Sequence, residues 1–191
     1  QFGFRGKGVF RSTEPHGTVF KHLEDSWYGK ESNSVAINAL SADGKGNIYA
    51  GAKNKLYKST NKGENWDAIN ALSNSQVIYG NVYDVKTFSD GGVIMAMGNE
   101  YYISQTGDAY SFEKISNDSS VLQSATGRSV IAISPSDENV IYICRANDDD
   151  VFDGLFRSKD KGKTWEQIIR GGSSIFKPFT GGIGQGDYNQ C

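Results

Sequence analysis

The sequence predicts an all-β protein built from repeated units of four antiparallel strands. Three observations support this prediction: a strand–turn pattern occurs four times, a Ser–Gly–Trp turn occurs twice in nearly complete form, and no segment of ten or more residues has helical periodicity. The composition agrees, because 23 glycines, 3 prolines, 10 Tyr and 10 Phe among 191 residues suit short strands joined by tight turns.

Composition and charge also argue against several classes of protein. Hydrophobic residues make up 37% of the chain and charged residues 22%, which is enough to build a core. The net charge is −2 and no long basic run occurs, so a nucleic-acid partner is not expected. No apolar stretch reaches the length of about 18 residues that a membrane-spanning helix needs, so no membrane span is expected.

The repeat is clearest in the second half of each unit. Each copy has an apolar or aromatic pair, then a basic residue or Ile, then Ser, a polar turn with Gly, and a final aromatic residue. The serines of the four copies lie 47, 45 and 54 residues apart, a period typical of a four-stranded propeller blade. The copies begin with residues 9–12, 56–59, 101–104 and 155–158.

The first half of each unit repeats as well. Short apolar strands at 37–40, 83–88 and 130–133 each meet a polar turn, and a second strand follows at 48–50, 93–96 and 140–143. The chain is therefore predicted to be one β-propeller segment, residues 1–191. Its predicted parts are a partial blade at 1–23, blades at 35–70, 82–115 and 130–169, and the start of a further blade at 183–191.

The turn between the third and fourth strands has the most specific pattern. Asn or Asp at its third position can accept backbone N–H bonds from two residues on, Gly can adopt positive φ, and Trp can fill the space between adjacent blades. The copies at 104–112 and 12–20 are degenerate. The predicted turn residues are Ser59, Asn61, Gly63 and Trp66 in one copy, and Ser158, Asp160, Gly162 and Trp165 in the other.

These two turns resemble the Asp-box (BNR) repeat of a β-propeller superfamily that includes sialidases, xyloglucan hydrolases and sortilin-type receptors. The resemblance implies a β-propeller, or a partial propeller, of four-stranded antiparallel blades with Asp-box hairpins at the periphery. It also implies a secreted or cell-surface protein. Because the repeat is entered and left in mid-blade, we expect a longer natural protein whose remaining blades complete the same propeller. The alternative is a four-blade ring that joins the N-terminal strands to residues 183–191.

Candidate ligand residues fall in the loops that leave the second and fourth strands. The resemblance implies that ligands bind on this side, near the central channel. Aromatic rings can stack on sugars while charged groups bond the hydroxyls, although the same rings can instead pack beneath their own loops. The candidates are Trp27, Tyr28, Tyr79, Arg128, Arg145, Asp148, Asp150 and Phe176.

Catalytic and metal sites are not predicted. Asp148, Asp150 and Asp153 could supply oxygen ligands to Ca²⁺, but the alternating order of a calcium loop is missing, so no metal and no cofactor are expected. The Arg-Ile/Leu-Pro motif of sialidases is absent. A xyloglucan-type hydrolase needs two opposed carboxylates, and nothing selects a pair from Asp84, Asp148, Asp150 and Asp187.

The sequence therefore favours a secreted or cell-surface binding propeller, without catalysis, that recognises a glycan or a protein. The alternative is part of a larger glycoside hydrolase of the sialidase or xyloglucanase type. A third hypothesis is a purely structural set of blades. Cys144 and Cys191 either form a disulfide or remain thiols, with Cys144 buried on its strand.

Overall fold

Fourteen β-strands and no helix occur in the computed structural model, which describes residues 9–14, 16–23, 36–69, 76–117, 121–124, 127–147 and 152–171. No described helix could therefore cross a membrane. The strands are β1 (Phe10–Ser12), β2 (Phe20–His22), β3 (Ile37–Ala42), β4 (Ile48–Ala52), β5 (Lys55–Ser59), β6 (Asp67–Ile69), β7 (Val82–Thr87), β8 (Val93–Met97), β9 (Glu100–Ser104), β10 (Glu113–Lys114), β11 (Ser129–Ile133), β12 (Ile141–Ala146), β13 (Phe152–Ser158) and β14 (Glu166–Arg170).

The strands form one hairpin and three four-stranded sheets. Strands β1 and β2 form the N-terminal hairpin, and each sheet follows chain order with antiparallel neighbours throughout. We name the sheets blade 1 (β3–β6), blade 2 (β7–β10) and blade 3 (β11–β14). The predicted all-β fold of four-stranded antiparallel sheets is confirmed.

The blades pack through their first strands and through apolar cores that lie between neighbours. Strand β7 packs against β3 and β4, and β11 packs against β7 and β8. Three clusters of buried side chains fill the junctions from the N-terminal hairpin to blade 1, from blade 1 to blade 2 and from blade 2 to blade 3. Hydrophobic burial between sheets, and not within one sheet, therefore holds the described units together.

Strand alternation decides which residues enter each core. In blade 1, Leu56 is buried in the core shared with blade 2, whereas Tyr57, the next residue, is buried in the core shared with the hairpin. Tyr101 and Tyr102 divide in the same way between the two cores that flank blade 2. Successive side chains point to opposite faces of a strand, so each third strand contributes to two junctions.

Candidate functional site

Two sets of loops lie at opposite ends of the blades. The turns from the first to the second strand and from the third to the fourth strand form what we call the turn face, where the Lys161 amide donates to the Asn139 carbonyl at 3.0 Å. The remaining loops form the loop face. There the Gly98 amide donates to the Asn81 carbonyl at 2.8 Å, and the Ala146 amide donates to the Arg128 carbonyl at 3.0 Å.

The predicted turn of blade 1 is closed by its own side chains. The Ser59 hydroxyl accepts from the Gly63 amide at 2.8 Å and donates to Asn61 Oδ1 at 3.0 Å. Asn61 Oδ1 accepts from the Asn65 amide at 2.8 Å. Trp66 Nε1 donates to the Gly63 carbonyl at 3.0 Å, which fixes the indole ring over the turn. Gly63 has a φ of 85°, a region that favours glycine.

The turn of blade 3 repeats this arrangement. Ser158 accepts from the Gly162 amide and donates to Asp160 Oδ1, both at 2.8 Å, and Trp165 Nε1 donates to the Gly162 carbonyl at 3.0 Å. Asp160 Oδ1 accepts from the Thr164 amide at 2.8 Å. The Asn61 and Asp160 side chains thus bond the amide four residues on, where the sequence predicts a bond two residues on. The amide two residues on belongs to the turn glycine, and it donates to the serine instead.

Serine is the element that the degenerate turn keeps. In blade 2 the Ser104 hydroxyl accepts from the Gly107 amide at 2.7 Å, although no Asp or Asn stands at the third position. Ser111 supplies a substitute contact, with its hydroxyl 2.5 Å from that of Ser104. The sequence analysis does not predict that the serine accepts the glycine amide. The serine is nevertheless present in all four copies, and this could have indicated its role.

Tyr79 is an exposed candidate ligand residue on the loop face. Its side chain is 75% exposed, and Val77 beside it is also exposed. The backbone beside it packs closely against the loop that leaves β8, because a Cβ on Gly80 would lie only 3.0 Å from the Gly98 nitrogen. Arg128 is exposed in the next inter-blade loop. The candidates Trp27, Tyr28, Asp148, Asp150 and Phe176 lie outside the described residues.

Arg145 is turned into the protein. Its Nε donates to Asp153 Oδ2 at 2.5 Å, its Nη1 donates to the Gln123 carbonyl at 2.8 Å, and its guanidinium lies 4.5 Å from the centre of the Phe156 ring. These contacts join β12 and β13 to the loop that enters blade 3. The guanidinium is therefore engaged inside the protein, and a role in ligand binding remains a prediction.

Asp84 links the first strands of two blades. This buried carboxylate accepts from the Ile131 amide of β11 at 2.8 Å, and also from the Val85 amide at 2.9 Å and Lys86 Nζ at 2.6 Å. A register shift between Val82 and Asp84 turns the side chain towards blade 3. The carboxylate of Asp84 thus accepts three hydrogen bonds within the protein, and the bond from the Ile131 amide joins blade 2 to blade 3.

We expect Asp84→Ala to lower the free energy of unfolding by about 1–3 kcal/mol, because it leaves the Ile131 amide buried without an acceptor. Urea denaturation followed by circular dichroism measures the loss. Asp108→Ala is the control, since Asp108 is exposed and its ion pair with Lys58 should contribute about 0–1 kcal/mol. Equal losses for the two variants would show that the hydrogen bond between the Ile131 amide and Asp84 does not stabilise the fold.

Glu100 is a second structural carboxylate on the loop face, and the sequence does not single it out. It accepts from Ser124 at 2.7 Å, from Lys114 at 3.3 Å and from Ser116. Burial alone would raise the pKa of Glu100, but the hydrogen bonds outweigh it and hold the pKa below its usual value. Glu100 therefore stays ionised and ties the loop between blades 2 and 3 to β9.

No group of three His, Cys, Asp or Glu side chains placed to hold a metal ion occurs among the described residues. Cys144 lies half-buried on β12, less buried than the sequence predicts. Cys191 lies outside the described residues, so the pairing of the two cysteines remains a prediction.

The fold is shared with solved proteins, whereas no protein-family profile and no curated protein matches the sequence. YCF48 bound to D1 peptide is 15% identical over 79% of this chain and 43% of that chain, with a TM-score of 0.53. The extracellular domain of the hybrid two-component system BT4673 from B. thetaiotaomicron is 13% identical over 74% of this chain and 18% of that chain, with a TM-score of 0.55. An ancestral GH74 enzyme is 17% identical over 71% and 18%, with a TM-score of 0.50.

The chain spans less than half the length of each of these proteins. The TM-scores show a shared fold, and identities this low leave activity open. With three four-stranded antiparallel blades and a hairpin among its described residues, the chain has the fold of a β-propeller or of part of one.

Proposed function

We propose that this chain is part of a secreted or cell-surface β-propeller of the Asp-box type that binds a glycan or a protein on its loop face without catalysis. The remainder of the same propeller completes its ring. The observation that carries the proposal is Tyr79, a large aromatic side chain that is 75% exposed on a loop whose Gly80 packs closely against Gly98. A large, exposed aromatic ring suits recognition, because it offers much contact area with only two side-chain torsions to fix on binding.

The state of the described loop-face carboxylates supports a role in binding over catalysis. Asp84 accepts three hydrogen bonds, Asp153 pairs with Arg145, and Glu100 bonds two serines and a lysine. A glycosidase acid must hold a proton near neutral pH and therefore needs a raised pKa, whereas the pKa of Glu100 is lowered. These carboxylates are engaged in contacts within the protein.

Two comparisons bear on the class of ligand and on the location. The structure of YCF48 bound to D1 peptide is a reason to include proteins among the ligands, and the extracellular domain of BT4673 is a reason to place this chain outside the cell. The two turns of blades 1 and 3, which share every hydrogen bond described above, support the Asp-box assignment. Because the identities are low, the two comparisons support the proposal only through the shared fold.

We expect Tyr79→Ala to weaken binding at least tenfold, which corresponds to about 1.4 kcal/mol. The matched control is Tyr110→Ala, because Tyr110 is also an exposed tyrosine, at 59%, but lies on the turn face. Wild type and both variants are applied to a glycan array and to a peptide array of extracellular proteins, and hits are titrated by calorimetry. Equal loss in the two tyrosine variants would overturn the assignment of the loop face.

The glycoside hydrolase alternative predicts a different result when the same protein is tested on glycans. It predicts that the full-length protein hydrolyses sialosides or β-glucans, and that substituting a carboxylate within these residues abolishes the activity. Hydrolysis with that dependence would replace the binding proposal. Binding that requires Tyr79, without turnover of the bound glycan, would remove the alternative.

A further inference from the structure

The loop that carries Tyr79 lies in a part of the chain without charged side chains. Residues 68–83 form the longest stretch of the sequence that contains no Asp, Glu, Lys or Arg, and the structure describes 68, 69 and 76–83 of it. Charged residues make up 22% of the whole chain. Because this loop has no charged group, its side chains cannot form an ion pair with a ligand.

Burial alternates along the described end of this loop. Ile78 is only 6% exposed and belongs to the core between blades 1 and 2, whereas Val77 and Tyr79 on either side of it are 47% and 75% exposed. Ile78 thus anchors the loop, and the side chains of Val77 and Tyr79 lie at the surface. Together they offer a ligand an aromatic ring and an aliphatic side chain.

The turn from β8 to β9 brings a second uncharged segment against this loop. A Cβ on Gly80 would lie 3.1 Å from Gly98 Cα, and the Gly98 amide donates to the Asn81 carbonyl at 2.8 Å. Asn99 follows Gly98 directly and is exposed, and residues 91–99 contain no charged side chain. The contact therefore places Asn99 beside the segment that carries Tyr79, although the two residues are distant in the sequence.

The charged residues that border these two segments are engaged elsewhere. Glu100, which follows Asn99, accepts from Ser124 at 2.7 Å and from Lys114 at 3.3 Å. Asp84, which ends the uncharged stretch of the loop, accepts from the Ile131 amide of blade 3. Both carboxylates are therefore occupied by contacts that lead towards blade 3.

We propose that the loop face binds an uncharged glycan at a subsite formed by Tyr79, Val77 and Asn99, an inference that rests on the proposed function. The ring of Tyr79 stacks on the apolar face of a pyranose, and Val77 extends this contact. The Asn99 amide both donates and accepts hydrogen bonds, as a sugar hydroxyl does. Neither segment has a cation that would hold the carboxylate of a sialic or uronic acid.

The lack of charge favours a glycan over a protein as the occupant of this subsite. Protein partners present charged side chains, and charge complementarity fixes how two protein surfaces meet. The polar side chains in the described parts of the two contacting segments are instead amides and a phenol, which match the hydroxyl groups of a neutral sugar. An uncharged glycan needs only these hydrogen bonds and an apolar surface for stacking.

Calorimetric titration of the whole chain with defined oligosaccharides tests the proposal. The uncharged probes are oligosaccharides of glucose, mannose, xylose, galactose and N-acetylglucosamine, and the acidic probes are sialyllactose and oligogalacturonate. We expect at least one uncharged probe to bind, and each acidic probe to bind at least tenfold more weakly. The Kd of the uncharged probe should change less than twofold between low salt and about 0.5 M salt, because screening does not affect contacts without charge.

Four variants, checked for folding by circular dichroism, assign the binding to the subsite. Tyr79→Ala should raise the Kd of the uncharged probe at least tenfold, whereas Tyr79→Phe should stay within twofold of wild type because its ring still stacks. Asn99→Ala should raise the Kd at least threefold. Asn65→Ala is the matched control, since Asn65 is also an exposed asparagine but lies on the turn face, and it should leave the Kd unchanged.

The outcomes separate this inference from the proposed function. Binding of a peptide or an acidic glycan that requires Tyr79, without binding of any uncharged probe, would overturn the inference and leave the proposed function in place. No binding that requires Tyr79, to any of these probes or to the arrays, would overturn both. An uncharged probe that binds Asn99→Ala as tightly as wild type would overturn the subsite.

Discussion

Trp66→Ala is expected to lower the free energy of unfolding by about 3–5 kcal/mol, which is the usual cost of removing a large buried aromatic side chain. Trp66 is only 8% exposed and packs in the core between the hairpin and blade 1, with Val9, Leu23 and Tyr57. Its indole also donates to the Gly63 carbonyl, so the substitution removes both the core contact and a turn bond. Urea denaturation followed by circular dichroism measures the loss.

Trp165→Ala is the matched control for this prediction. Trp165 makes the same indole bond to the carbonyl of its turn glycine, at 3.0 Å, but its side chain is only half-buried. Trp165→Ala should therefore lower the free energy of unfolding by less than Trp66→Ala does. The difference between the two losses measures the contribution of the greater burial of Trp66. If Trp66→Ala left the denaturation midpoint unchanged, Trp66 could not be packed between the hairpin and blade 1.

Gly107→Ala is expected to lower the free energy of unfolding by about 2–5 kcal/mol, because it introduces backbone strain and steric overlap together. Gly107 has a φ of 66°, and a Cβ there would lie 2.1 Å from Tyr49 Oη. Tyr49 is fully buried and belongs to the core between blades 1 and 2. The ring therefore cannot move away without opening the core between blades 1 and 2.

Two further variants separate the strain from the overlap. Gly46→Ala introduces a similar positive φ of 88° but meets nothing within 4 Å, so it should cost only the backbone strain of about 1–2 kcal/mol. Tyr49→Phe should recover part of the loss in Gly107→Ala, because it deletes the atom at 2.1 Å. Equal costs for Gly107→Ala and Gly46→Ala would contradict the close contact with Tyr49.

The repeat allowed the fold to be predicted from the sequence because its signals are local. The four-stranded units follow from alternating strands and turns, and the positions of Gly63 and Gly162 follow from a turn that needs positive φ. The aromatic residue at the end of each turn also indicated packing between units, and Trp66 lies in such a core. Each of these features depends on residues within a few positions of one another.

The candidate site was less predictable because its contacts join residues that are distant in the chain. Arg145 and Asp84 have charges that suit a ligand site, yet the structure directs them to Gln123 and Ile131, 22 and 47 residues away. Glu100 gave no signal because its serine partners belong to another loop.

The sequence by itself determined the strand order, the positions of the turns and the period of this protein, since these depend on local conformational preference. Only the tertiary structure decided which polar side chains are engaged between blades and which remain at the surface, because burial and hydrogen bonding depend on which units are neighbours. Phe10 and Tyr57 occupy the same repeat position, yet Phe10 is exposed and Tyr57 buried, since only Tyr57 has a described unit packed against it.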